Sequence, residues 1–156
     1  MEKQHHFKTT VNWTGNRGEG TINAKAYDRH NTLKIKGKPD ILCSSDPAFS
    51  GDGTKHNPED FLVAALSQCH MLWYLHIAAD NGVIVTNYED NAEGTMIQLA
   101  SGGGHFTEVT LHPVVTITDV SKIDFANSLH KKAAEKCFIA NSCNFEVKHK
   151  PLALVK

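Results

Sequence analysis

Four thiols are available to this chain of 156 residues: Cys43, Cys69, Cys137 and Cys143. A thiolate can ligate a metal or attack an electrophile, and peroxide converts it to a sulfenic acid that a second thiol condenses to a disulfide. Cys69 lies in Leu66-Ser67-Gln68-Cys69-His70, a polar cluster within an otherwise apolar run. Buried polar side chains need partners or water, so this run predicts a lined pocket; the plainer reading is that Cys69 fills space as a small hydrophobe. Cys137 stands in Glu135-Lys136-Cys137-Phe138-Ile139-Ala140-Asn141-Ser142, and Cys143 follows six residues on as a rival second thiol. Cys43, in a long unpatterned segment, reads as incidental. Spacing alone leaves open which sulfurs meet.

Other chemistries have weaker support. The ten histidines are scattered, with no C-x-x-C, H-E-x-x-H or zinc-finger spacing, and Cys69 and His70 would project about 100° apart on a helix. No bound metal or cofactor is therefore expected. Gly15, Gly18 and Gly20 do not match G-x-G-x-x-G, and there is no G-x-S-x-G elbow.

Composition narrows the class. Sixteen Lys and Arg against seventeen Asp and Glu leave a formal charge of −1, and 40% of residues are apolar. That balance argues against a nucleic-acid or anionic-membrane surface and against disorder. Met1 to His6 lacks an apolar secretory core, and no apolar run reads as a membrane span. A cytoplasmic protein with reduced thiols is expected, folded as one domain over residues 1–156.

The elements that must position the thiols follow from periodicity. Phe7, Thr9, Val11 and Trp13 alternate with polar residues as a half-buried strand. Thr14 to Gly20 is a turn, and strands at 21–27 and 32–36 complete an N-terminal group over 6–36. Residues 37–56 carry prolines and glycines without a period, and read as a loop. Asn57 is an N-cap, Pro58 a first helical residue, and Glu59 and Asp60 complement the helix dipole. The helix spans 57–81, is apolar nearly all round, and ends at Asn81-Gly82. Strands fill 83–118 with a hairpin at 101–104, Ser121 caps a helix over 121–137, and 145–150 is a final strand. This order predicts an α+β fold of antiparallel sheets and long helices.

Asn57-Pro58-Glu59-Asp60-Phe61-Leu62-Val63-Ala64-Ala65-Leu66-Ser67-Gln68-Cys69 resembles the N-P-E-x-[LF]-x-x-A-x-x-x-x-C segment of the OsmC/Ohr family of thiol-dependent hydroperoxide reductases. Thr14-Gly15-Asn16-Arg17-Gly18 is similar to the family's arginine-bearing turn, and Cys137 fits its second cysteine. The resemblance implies an intertwined homodimer with sheets around central helices. It makes Cys69 the peroxidatic thiol, Cys137 the resolving thiol, Arg17 the partner of the thiolate and Glu59 the residue orienting Arg17. It further implies an organic hydroperoxide as substrate and an external dithiol, of lipoyl type, as reductant. A guanidinium would lower the thiol pKa, and a carboxylate could hold that guanidinium bidentately. The rival readings are a hydrophobic-ligand carrier and a redox sensor on the same fold.

Overall fold

The computed structural model describes residues 2–156. The chain forms two compact units, the first running up to Phe61 and the second from Leu62 to Lys156.

In the first unit β1 (Thr10–Trp13), β2 (Asn31–Lys34) and β3 (Ile41–Cys43) form an antiparallel sheet in that order. β1 is not half-buried as its alternation predicts: all four residues are exposed, with Val11 at 64% and Trp13 at 45%. The strand expected at 21–27 is a series of turns. Local acceptors take the backbone donors a strand would use: Asn16 Oδ1 accepts from the Gly18 and Gly20 N–H groups, and Asn23 Oδ1 from Lys25. Arg29 donates to the Ala24 and Tyr27 carbonyls and stacks on the Tyr27 ring. Gly15 permits this crossing, because a Cβ there would stand 1.8 Å from the Asp28 carbonyl oxygen.

The expected loop over 37–56 holds β3 and a single 3-10 turn, Pro47–Phe49. Cys43 is thus a buried strand residue. Asp52 organises the remainder, accepting from the Thr54 backbone and hydroxyl and from Lys55, so its carboxyl titrates far below the usual range.

Helix α1 (Pro58–Asp80) starts where its caps require. Asn57 Oδ1 accepts from the Asp60 N–H at 2.7 Å while Asp60 Oδ2 reaches back to the Asn57 N–H at 3.4 Å, a reciprocal capping box. At the other end Gly82 adopts φ +66° and the Val83 N–H bonds the Ala78 carbonyl at 2.9 Å. With 23 residues, α1 is by length and composition alone long and apolar enough to cross a membrane, which corrects the sequence expectation. Here its buried stripe of Leu66, His70, Tyr74 and Ala78 packs into the second unit.

The second unit holds β4 (Val85–Asp90), β5 (Glu93–Gln98), β6 (Gly104–Leu111), β7 (Pro113–Ile117), β8 (Glu146–His149), β9 (Leu152–Val155) and helix α2 (Ile123–Lys136). Its sheets run β4-β7-β9 and β5-β6-β8. β4–β7 and β5–β6 pair antiparallel; β8 and β9, the latter beyond the expected final strand, add in parallel. Three extended stretches therefore each pass from one sheet to the other, breaking after Asp90, at His112 and at Lys150-Pro151. Asp90 joins two of these breaks to α1: its carboxylate accepts from the His112 N–H at 2.6 Å and from the Ser67 hydroxyl at 2.6 Å.

α2 begins two residues later than expected, because Asp119 rather than Ser121 caps the preceding 3-10 turn, accepting from the Ser121 N–H and hydroxyl. Ala126, Leu129 and Ala133 of α2 join Tyr74, Ala78, Val115 and Ile117 in the larger apolar core. Leu66, Val109 and Leu111 form the smaller one. Both cores meet α1, which fixes the face on which Cys69 is displayed.

Candidate functional site

Cys69 is half-buried on α1, between the buried residues Leu66 and His70. Cys137 ends α2, where extended backbone (ψ 106°) terminates the helix. The two thiols are neighbours, and both are reduced. Their environments differ. Cys137 is only 1% exposed, and burial, with the adjoining Cys69 thiol adding to it, pushes its pKa up to about 11. The Ala140 N–H donates to its sulfur at 3.4 Å, opposing that shift. Cys137 therefore rests as a neutral thiol, while Cys69 holds the position nearer solvent.

Aromatic packing borders the pair. Trp73, one helical turn after Cys69, meets the ring of Phe138 edge-on with centroids 5.8 Å apart. Phe138 follows Cys137 directly and is 70% exposed. An apolar rim thus lies beside the thiols, suited to an alkyl or acyl chain.

The polar run around Cys69 does not converge on one pocket as expected. A helix turns about 100° per residue, so Ser67 goes to Asp90, Gln68 to solvent and His70 into the core. His70 Nε2 lies 2.9 Å from His130 Nδ1, and its ring packs 4.4 Å from that of His149. Burial holds His70 down to about 3 and His130 to about 4, with the neighbouring imidazoles reinforcing the shift. Nothing in the spacing of residues 70, 130 and 149 reveals this cluster, since three separate elements bring it together. Among the described residues no three His, Cys, Asp or Glu side chains are grouped to hold a metal ion.

Arg17 and Glu59 lie in the first unit. The Arg17 guanidinium donates to the carbonyls of Lys25 and Ala26 and lies 3.7 Å from the Asp28 carboxylate. Glu59 sits in the first turn of α1, and its Oε2 is buried without a hydrogen-bond partner. The Arg17–Glu59 ion pair that the resemblance implies is therefore not made within this chain. Ten residues of helix, about 15 Å of rise, lie between Glu59 and Cys69. Cys143 donates its S–H to the Ile139 carbonyl at 3.3 Å and packs on the smaller core, which raises its pKa.

The fold is shared with known proteins. An OsmC-like protein of Vibrio cholerae superposes with a TM-score of 0.86 at 33% identity, covering 96% of this chain and all of that one. An organic hydroperoxide resistance protein of Elizabethkingia anophelis shares the fold at 18% identity and a TM-score of 0.74, covering 99% of this chain and all of that one. The uncharacterized YmaD protein of Bacillus subtilis is 26% identical over 97% of this chain and 95% of its own length. The family model described as OsmC-like protein matches residues 51–151, a span that holds Glu59, Cys69, Cys137 and Cys143. The chain belongs to the OsmC-like family.

Proposed function

We propose that this protein is a thiol-dependent peroxidase that reduces organic hydroperoxides to alcohols in oxidative-stress defence. The observation that carries the reading is the unequal thiol pair: Cys69 nearer solvent, and Cys137 buried, protonated and adjacent. The Cys69 thiolate attacks the terminal peroxide oxygen; the O–O bond breaks, the sulfur becomes a sulfenic acid, and the departing alkoxide takes up a proton. Cys137 then attacks that sulfur, the S–S bond forms and water leaves. An external dithiol, of lipoyl type by family resemblance, reduces the disulfide in the cytoplasm, and no bound cofactor is needed. The rim of Trp73 and Phe138 favours a hydrophobic peroxide over hydrogen peroxide, because it can desolvate an alkyl tail.

The reading includes a homodimer. Glu59 Oε2, buried and unpartnered, suits a guanidinium. Arg17 is assigned that place; because about 15 Å of continuous helix separates Glu59 from Cys69 within one chain, the thiol it serves is the Cys69 of the second copy, where its charge stabilises the breaking peroxide. For this it must exchange the Lys25 and Ala26 carbonyls for Glu59.

Turnover of tert-butyl hydroperoxide with dihydrolipoamide tests the reading. The native protein should consume peroxide, and Cys69→Ser should lower kcat/KM by at least about a hundredfold, equivalent to about 2.7 kcal/mol. Unchanged turnover in Cys69→Ser refutes the assignment.

A further inference from the structure

The histidine cluster is absent from the chemistry above, yet its place in the chain relates it to both thiols. His70 follows Cys69 directly on α1, and His130 precedes Cys137 by seven residues, about two turns, on α2. Their hydrogen bond at 2.9 Å is a side-chain bond between the two helices that carry the thiol pair. Tyr74 adds a second: its hydroxyl donates to the Ala126 carbonyl at 3.2 Å, and its ring stacks on His130 with centroids 3.9 Å apart.

We propose that the His70–His130 hydrogen bond is a brace that holds α1 and α2 at the separation where the Cys69 and Cys137 sulfurs can join, making both histidines positioning residues for disulfide formation. The inference rests on the proposed function for its biological meaning, although the geometry it concerns can be measured without peroxide.

The brace is a choice among alternatives the core could have made. His70 Nδ1, His130 Nε2 and His149 Nε2 are all buried without partners. Burying an imidazole with one nitrogen unpaired is costly, and leucines of similar size would fill the volume at lower cost. What leucines cannot supply is direction. A hydrogen bond between ring nitrogens loses strength within a few tenths of an ångström and a few tens of degrees, whereas apolar contacts slide. A disulfide is similarly exacting, since the Cβ atoms must approach to roughly 4 Å with a torsion near 90°.

The bond needs one lone pair and one N–H, so the neutral rings form it and a doubly protonated pair would set N–H against N–H. Burial, before any neighbouring charge, keeps the rings neutral. Tyr74 from α1, Tyr88 from β4 and His149 from β8 surround it; Asp90 favours the protonated form of His149, against the larger effect of burial, which lowers its pKa. Desolvation disfavours the protonated rings most, and within the cluster the imidazoles repel one another's protonated forms as well.

The test is the effective molarity of the Cys69–Cys137 pair, measured by equilibration in glutathione redox buffers and quantified by mass spectrometry of the linked peptides. In His70→Leu/His130→Leu, where both partners become apolar and neither is left unpaired, it should fall at least tenfold. His130→Asn, which can place a polar side-chain atom near the former Nδ1, should recover it to within about threefold of the native protein. A folded double variant with an effective molarity within twofold of native overturns the inference.

Should the double variant not unfold cooperatively, the native protein decides. Opening the brace and separating the sulfurs are one coupled event, so linking the sulfurs must suppress the opening. The imidazole N–H proton of the pair should exchange with solvent at least tenfold more slowly in the oxidised than in the reduced protein; equal rates overturn the brace. Failure of the native pair to form its disulfide in any glutathione buffer also overturns it. Disulfide formation with glutathione but no turnover of peroxide leaves the brace standing and refutes the peroxidase reading instead.

Discussion

α1 and α2 each carry one thiol of the pair, but their surfaces are built on opposite plans. α2 is amphipathic: Ala126, Leu129, His130 and Ala133 are buried, while Lys131, Lys132, Glu135 and Lys136 face water. Apart from Phe125, 43% exposed, the chain alone covers its apolar side chains. α1 is apolar nearly all round, yet the chain buries only the stripe of Leu66, His70, Tyr74 and Ala78, leaving Leu72 at 59% exposure. A helix apolar all round is normally covered on every side, so α1 has an apolar face in excess of what its own chain covers. Under the proposed function that face belongs to the second copy. The contrast separates what holds the unit together from what holds the assembly together, and three measurements can break or sharpen it.

The largest effect is expected in the shared core. Leu129→Ala on α2 and Leu66→Ala on α1 each remove a side chain that is 0–1% exposed, and each should cost about 2–5 kcal/mol of unfolding free energy in urea or thermal melts. A loss below about 1 kcal/mol at both positions would show that these stripes do not carry the two cores.

Charging the outer faces should separate the helices next. Leu72→Glu on α1 should weaken dimerisation at least a hundredfold, about 2.7 kcal/mol, by sedimentation or light scattering across a dilution series. Lys132→Glu on α2 should leave it within a few-fold. Equal effects at the two positions would end the distinction between a self-sufficient helix and one awaiting a second chain.

The smallest effect per step comes from acid. His70 and His130 are lowered from 6.5 to about 3 and about 4, and His149 is lowered too, so the unfolded chain binds these protons first. Stability is complete above pH 6.5 and is lost as pH falls toward the folded values, with a slope of up to about 1.4 kcal/mol per pH unit for each histidine. Denaturant midpoints between pH 7 and 4.5 should therefore decline. A flat profile over this window would show that the cluster does not stay neutral in the folded protein.

What could be read from the sequence divides by the range of the interaction that made it. α1 was legible because its signals are local: the Asn57 cap, the acidic first turn and the Gly82 terminus all lie within a few residues of the ends they set. The same is true of the hairpin at 101–104, where Leu99 and Gly103 pair across Gly102 at φ +89°. The segment 21–27 misled because its alternation has the strand period, whereas the Asn16 and Asn23 side chains had already claimed the backbone donors. β9 was missed because its pairing with β7 is parallel and joins residues nearly forty positions apart. At the site, the N-P-E to Cys69 spacing carried the family, but the adjacency of Cys69 and Cys137 depends on how two helices pack. The histidine cluster and Asp90 left no trace in spacing at all. Each is assembled from elements distant in the chain, and its members looked like isolated polar residues.

The burial of Cys137 has a consequence for electron supply. A thiol that is 1% exposed cannot be approached from outside, so under the proposed function an external dithiol would enter the disulfide at the Cys69 sulfur and expel Cys137. A thiol pushed up to about 11 is a poor leaving group. On that reading reduction should be slower than oxidation, and in steady state the protein should stand mostly as the disulfide, with its throughput set by the supply of electrons rather than of peroxide.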